Sequence, residues 1–365
     1  MTQKCVALLG KRDEPTDAVE EYCRYLGEAL RQHGFDTQVV RAPWAEKGWS
    51  AALRELKEQA TAWRGVWVLV QYTALSWSAR GFPSRFLRVL KSLRSAGTRI
   101  GVVYHDVEPY AGTRVVDRLR SHAQLRAMRE ALRLADLAVF TVPTEKLSWI
   151  RRSAPNAVFI PVGANLPAPE RVPLTKPRNT LRTPTIAIYG ITGGKAGVAE
   201  IKHIAGAVEH AISRAGKLRL LVFGRNSESV AGELHAALHN PLVEIEIRCL
   251  LSAEKVVESL RSSDVLLFVR GTISSRRGSA IAGIACSLPV VAMEGPETAP
   301  PITEAGVVLL SPDASYKKTG ETLARILTDS TYRGALAARS RQAYEKSFSW
   351  QAIAARYAEA LRGQE

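Results

Sequence analysis

Strict alternation is what most limits this chain: short β-branched runs take turns with helical stretches from one end to the other. Strand-like runs lie at Cys5–Leu9, Thr37–Val40, Val66–Val70, Ile100–Tyr104, Leu137–Thr141 and Val158–Val162. A second set follows at Thr185–Tyr189, Leu218–Phe223, Val243–Ile247, Val265–Val269, Pro289–Ala292 and Val307–Leu310. Helical spacing fills the gaps, at about 16–32, 50–63, 84–96, 114–135 and 144–152, then at about 198–213, 228–239, 253–261 and 279–286. Three helices at about 315–328, 331–346 and 350–362 close the chain. Thr16 is the expected N-cap of the first helix. Strands that alternate with helices make βαβ units, so the expectation is an α/β chain built on parallel sheets.

The alternation fails once. Between Gly163 and Pro184 there are five prolines and no apolar periodicity, the mark of a linker. With 365 residues, two domains fit better than one core. The expected organisation is a domain over 1–165, a Pro-rich hinge over 166–184, a second domain over 185–345, and a closing helix over 346–365 that crosses back to the first. Apolar residues at 46 % and charged residues at 23 % suit a folded chain rather than a disordered one. No apolar run approaches the roughly 20 residues of a membrane span, and the start Met1-Thr2-Gln3-Lys4 lacks a secretory signal pattern. Cys5, Cys23, Cys249 and Cys286 are widely spaced, which argues against a zinc site or a disulfide framework and for reduced thiols in the cytoplasm.

Net charge is +15, which calls for an acidic partner: nucleic acid, anionic lipid or a phosphorylated small molecule. Residues 80–133 hold 12 basic and 4 acidic residues, and the rest of the first 170 residues balances to zero. Arg85, Arg88, Lys91 and Arg94 lie on one helical pattern, and Arg114, Arg118, Arg120, Arg126, Arg129 and Arg133 on the next. Phe86, Leu87, Leu90, Leu93, Leu119, Leu125 and Leu132 beside them are expected to pack on the sheet, leaving the arginines outside to meet anionic headgroups. A merely solvated basic face is the plain alternative. No nucleic-acid-binding motif accompanies the charge, so nucleic acid is not an expected partner.

Ligands of open parallel sheets bind at the carboxyl ends of the strands. After Tyr189 comes Gly190-Ile191-Thr192-Gly193-Gly194-Lys195-Ala196-Gly197. Its glycines allow close backbone approach, the following helix start favours anions, and Lys195 adds a point charge. The spacing is neither that of a Walker A loop nor G-x-G-x-x-G, and a glycine turn with a solvated lysine is the alternative. Arg225 follows the next strand. Ser274-Ser275-Arg276-Arg277-Gly278-Ser279 leads from a strand into a helix, where guanidinium groups and free N–H groups together make a diphosphate cradle. In the first domain His105 ends a strand beside Asp106, which can fix its tautomer, and a role as general base or sugar-hydroxyl contact follows. Gln71-Tyr72, after Val70, is a further acceptor-side pair. No D-x-D pair or metal-spaced His/Cys set occurs, so no catalytic metal and no cofactor are expected.

Three segments carry a resemblance. Phe348-Ser349-Trp350-Gln351-Ala352-Ile353-Ala354-Ala355-Arg356-Tyr357 resembles the closing FSW-x-x-I-A-x-x-Y helix of family 4 glycosyltransferases, which have the GT-B fold of two Rossmann-like domains facing a cleft. Ile160-Pro161-Val162-Gly163-Ala164-Asn165 resembles the strand and loop that end that family's first domain. Ala285-Cys286-Ser287-Leu288-Pro289-Val290-Val291-Ala292 resembles its ACGLPVVA segment. The resemblance implies an acceptor domain followed by a nucleotide-sugar domain, and transfer of a glycosyl group from a nucleoside-diphosphate sugar to a hydroxyl acceptor. On this reading Lys195, Arg276 and Arg277 hold the diphosphate, with Arg225 nearby, and His105 lies near the reacting centre.

One departure matters. The family carries two glutamates eight apart, and alignment on Ala285-Cys286 puts Ser274 and Ala282 at those places. A catalytically degenerate relative, binding a nucleotide sugar as a partner subunit, is therefore a second reading. A GT-B sugar-nucleotide epimerase is a third, though it leaves the closing FSW helix unexplained.

Overall fold

A computed structural model describes residues 2–150, 154–169 and 183–363. The chain divides into two compact units, Met1–Val162 with Trp350–Glu365, and Gly163–Ser349. Most of the expected hinge, 170–182, lies outside the described residues.

The first unit runs β1 (Gln3–Leu9), α1 (Ala18–Leu30), β2 (Phe35–Arg41), α2 (Trp44–Lys47), α3 (Trp49–Ala60), β3 (Trp67–Tyr72), α4 (Phe86–Ser95), β4 (Arg99–Tyr104), α5 (Val115–Leu134), β5 (Leu137–Phe140) and β6 (Ala157–Phe159). Its strands form one parallel sheet in the order β2-β1-β3-β4-β5-β6. Val68, Val70, Tyr72, Val102, Tyr104 and Phe140 are buried in one cluster with Phe86, Leu90 and Leu93 of α4. Each such side chain contributes roughly 1.5–3 kcal/mol by leaving water. Asp17, not Thr16, caps α1: its carboxylate accepts the N–H groups of Val19 and Glu20, both at 3.1 Å. Carboxylates cap better than threonine and suit the positive helix end.

The helix expected over 144–152 does not form; a 3-10 turn at Thr144–Lys146 stands there, and residues 151–152 lie outside the described residues. Tertiary bonds take the segment instead. Glu108 accepts both the N–H and the hydroxyl of Ser148, and the Trp149 indole donates to Val107 O.

The second unit runs β7 (Thr185–Tyr189), α6 (Gly194–Ala215), β8 (Leu218–Phe223), α7 (Ala231–Ala237), β9 (Val243–Ile247), α8 (Ala253–Arg261), β10 (Val265–Thr272), α9 (Gly278–Ala285), β11 (Val290–Met293), β12 (Val307–Leu310), α10 (Tyr316–Thr328) and α11 (Ser330–Ala343). Its parallel sheet has the order β12-β11-β10-β7-β8-β9. After a π-helical turn at Tyr344–Phe348, the chain contributes α12 (Trp350–Arg362) to the first unit. Trp350, Ile353, Ala354, Tyr357, Ala358 and Leu361 recur at helical spacing, and all are buried. Tyr357 Oη lies 2.8 Å from Tyr22 Oη, which fixes α12 on α1.

Candidate functional site

The second sheet reverses its order at the β10/β7 pair, with β8 and β9 on one side and β11 and β12 on the other. Such a reversal opens a crevice at the carboxyl ends of the two strands. The loops that meet there follow β7 and β10.

Gly190 has φ +79°, and its N–H donates to Phe223 O at 2.7 Å. The Arg270 guanidinium lies over it, so that a Cβ would come within 3.4 Å of Nη1. The positive φ is what favours glycine here. Asn226 Nδ2 donates to Ile191 O, and Ile191 N–H to Arg225 O, tying the β7 and β8 loops together beside Gly193. Helix α6 starts at Gly194, four residues earlier than the sequence pattern placed it, so Lys195 sits in its first turn. That turn has no side-chain cap and no acidic residue. A lysine at the positive end of a helix concentrates positive potential.

Three arginines lie on the β10 side, and among the described residues only Arg276 is hydrogen-bonded to a carboxylate. Arg276 forks onto Glu297, Nε to Oε2 at 2.7 Å and Nη2 to Oε1 at 2.9 Å, and Ser274 Oγ donates to the same Oε2 at 3.0 Å. Burial acts to raise the Glu297 carboxyl, but the hydrogen bonds and charge of Arg276, helped by Ser274 and Arg277, outweigh it and hold the group below its usual range. Arg277 donates Nε to Thr272 O and caps α9 at a start that has no side-chain cap bond and no acidic residue. Its burial, then the neighbouring charges of Arg276 and Arg270, act against its protonated form and outweigh the opposing charge of Glu297. Arg270 has no carboxylate partner among the described residues. Mutual repulsion of half-buried guanidinium groups is relieved by an anion, and the free N–H groups at two helix starts point to the same chemistry.

The first sheet reverses at β1/β3. There the loops touch: Lys11 N–H donates to Ser76 O at 2.7 Å, and a Cβ on Gly10 would fall 2.2 Å from that oxygen. Gln71 Nε2 donates to Leu69 O, which turns its Oε1 toward His105 Nε2 at 2.9 Å. That bond makes Nε2 of His105 the protonated nitrogen. Its ring also meets the edge of Tyr22. Asp106 Oδ2 accepts the Ala74 N–H at 2.8 Å and lines a cavity of about 450 Å³ with Arg80, Tyr110 and Arg120.

No protein-family model matches the chain, and no curated protein matches it in sequence. Solved structures do match it over nearly its whole length. Sucrose-phosphate synthase (tll1590) from Thermosynechococcus elongatus has TM-score 0.68 at 20 % identity, covering 99 % of this chain and 98 % of its own. Anabaena Alr3699/HepE in complex with UDP and glucose has TM-score 0.67 at 14 % identity, covering 99 % and 100 %. A putative UDP-N-acetylglucosamine 2-epimerase from Listeria monocytogenes has TM-score 0.65 at 12 % identity, covering 100 % and 96 %. The chain has the GT-B fold.

On this GT-B frame, Gly190, Gly193, Gly194, Lys195, Arg225, Arg276, Arg277, Gly278 and Ser279 all fall at the β7, β8 and β10 ends of the second unit. Ser274 and Ser275 are 1 % exposed, and the Ser274 hydroxyl is directed at Glu297 rather than at open space. Two groups escaped the sequence pattern. Arg270 reads as a residue beyond the strand, but β10 continues to Thr272 and carries it over Gly190. Glu297 comes from the loop after β11, beyond the Ala285–Ala292 segment, where no local pattern marks it.

Tyr72 must be moved. It belongs to β3 rather than to the loop after it, is fully buried against Phe86 and Tyr104, and finds no hydrogen-bond partner for its hydroxyl. It is a core residue, while Gln71, on the opposite face of the strand, orients His105. Among the described residues no three His, Cys, Asp or Glu side chains are grouped as metal ligands.

Proposed function

We propose that this GT-B protein moves a glycosyl group from a nucleoside-diphosphate sugar to a hydroxyl acceptor, in the cytoplasm and without a metal ion. The observation that carries the reading is the set of Arg270, Arg277 and Lys195 at the β7/β10 reversal, where Glu297 forks onto Arg276 and meets Arg277 only through its charge. A departing nucleoside diphosphate develops negative charge on its oxygens, and preorganised guanidinium groups and helix-start N–H groups stabilise that charge as the glycosidic bond breaks. Lys195 and Arg225 complete the donor side. The second unit serves as donor domain and the first as acceptor domain. In the first, His105, its ring fixed by Gln71, takes the acceptor proton, and Asp106 faces the acceptor cavity. Solved structures of the same fold with UDP and glucose or UDP support a nucleotide-sugar donor.

A thermal-shift screen against UDP, GDP, ADP, TDP and CMP and their sugars tests this. A ligand at ~100 times its dissociation constant stabilises the fold by about 2.7 kcal/mol. A nucleotide sugar that shifts the melt, followed by formation of a glycosylated product, supports transfer. The same shift with no product supports the second reading, a binding subunit that no longer catalyses. One observation favours that alternative: Ala282, at the place of the second family glutamate, is 2 % exposed inside α9 and supplies no carboxylate. No shift with any of these ligands removes both.

A further inference from the structure

Eleven large hydrophobic side chains are exposed among the described residues, and six of them lie between positions 75 and 119: Leu75, Phe82, Tyr110, Val115, Val116 and Leu119. They fall into two groups at the N-terminal end of α5, one around Arg120 and one on the exposed side of the helix. Arg120 lies over the rings of both Tyr110 and Phe82, and Leu75, Tyr110 and Arg120 line the same cavity. Val115, Val116 and Leu119 occupy the first turns of α5, the helix that carries Arg120. Val115 is 75 % and Leu119 62 % exposed. The expectation that Leu119 packs on the sheet is thereby corrected: Asp117, Gln124, Ala127, Met128 and Ala131 form the buried face of α5, and Leu119 lies opposite.

Charge surrounds both groups. On a helical wheel Val115, Leu119 and Arg126 share a face, flanked by Arg118 and Arg129. Arg80, Arg118, Arg126 and Arg129 have no carboxylate partner among the described residues and are exposed. The nearby acids are engaged: Asp117 pairs with Arg120, Glu130 with Arg133, and Glu108 accepts from Ser148. Apolar residues at a helix start with unpaired arginines along the same side match an interface between hydrocarbon and anionic headgroups. Solvent-facing aliphatic side chains beside a row of exposed arginines follow the layering of an anionic bilayer, hydrocarbon below and negative headgroups above, and no helix among the described residues is long and apolar enough to cross a membrane.

We propose that the N-terminal end of α5, with Leu75, Phe82 and Tyr110, docks the first unit onto an anionic membrane surface, Val115 and Leu119 entering below the headgroups while Arg118, Arg126 and Arg129 lie among them. The surface stands independently of glycosyl transfer. Membrane contact there places the mouth of the Leu75–Tyr110 cavity at headgroup level.

Vesicle co-sedimentation of the full chain tests the proposal, with phosphatidylcholine vesicles and with phosphatidylcholine containing phosphatidylglycerol. Each arginine near the surface changes partitioning by about fivefold. Wild type is expected on the anionic vesicles only, with recovery falling as salt rises. Changing Arg118, Arg126 and Arg129 together to Glu lowers partitioning by at least ~100-fold, and V115S/L119S lowers it by at least ~10-fold with an unchanged circular dichroism spectrum and melt. Equal recovery on neutral and anionic vesicles overturns the proposal. Full retention by V115S/L119S also overturns it, since the contact is then a surface attraction without insertion. So does a patch covered by a second copy, seen as a dimer that V115S/L119S dissolves while vesicles recover nothing. Each outcome is read without any activity measurement, so failure here leaves the donor-site reading intact.

Discussion

Replacing Glu297 by Gln removes one charge and keeps the shape. The carboxylate holds Arg276 through two charge-assisted bonds at 2.7 and 2.9 Å, and the two side chains are 16 % and 24 % exposed. Removing one member of a buried pair costs about 3–5 kcal/mol because the other charge stays uncompensated. The amide oxygen of Gln retains one neutral acceptor, worth about 1 kcal/mol, and part of the guanidinium reaches water. A net loss of about 2–3 kcal/mol follows, or about 5–10 °C in the melting transition of the second unit. Adding Arg276→Met to Glu297→Gln is expected to recover most of this loss, because the stranded charge is gone. Calorimetry of the wild type, the two single variants and the double variant gives the coupling.

The acid limb provides a second readout. Because the folded-state carboxyl of Glu297 lies below its ordinary 4.5, its contribution is complete above that value and disappears as pH falls through the lowered folded value. The Gln variant should lose less stability than wild type over that interval. A Gln variant that melts within 1 °C of wild type, or a double variant that melts lower than either single one, would refute the clamp.

Lys195→Ala and Arg270→Ala are each expected to weaken nucleoside-diphosphate binding by at least ~1.5 kcal/mol, read by titration calorimetry, with little change in the ligand-free melt; unchanged affinity in both removes them from the site. Tyr22→Phe or Tyr357→Phe leaves a buried hydroxyl without its partner at a cost of about 1–2 kcal/mol, whereas the double Phe variant should approach wild type in a denaturant titration. Glycosyl transfer is expected to survive EDTA; loss of product that manganese or magnesium restores overturns the metal-free reading.

The sequence alone determined the twelve strands seen among the described residues and their grouping, because buried parallel strands read as continuous apolar runs and each is joined to the next by a crossover. It also determined the closing helix, since the apolar spacing from Trp350 to Leu361 admits one buried face. Local chemistry further marked the loops proposed to face the donor, where glycines and basic residues follow strand ends. Tertiary structure decided the rest, for reasons no local pattern carries. Strand order brought β7 beside β10, and so set Arg270 over Gly190, although 80 residues separate them. Pairing across 21 residues gave Arg276 to Glu297 and left Arg277 and Arg270 without a bonded carboxylate among the described residues. Where β3 ends decided that Tyr72 is core, since the strand runs two residues past Val70 and carries Tyr72 to the packed face. Leu119 and Leu125 are both leucines on one helix, and only the docking of α5 on its sheet turned the second inward and left the first in solvent. Hydrophobicity states which side chains favour burial; the supply of packing surface determines which of them obtain it.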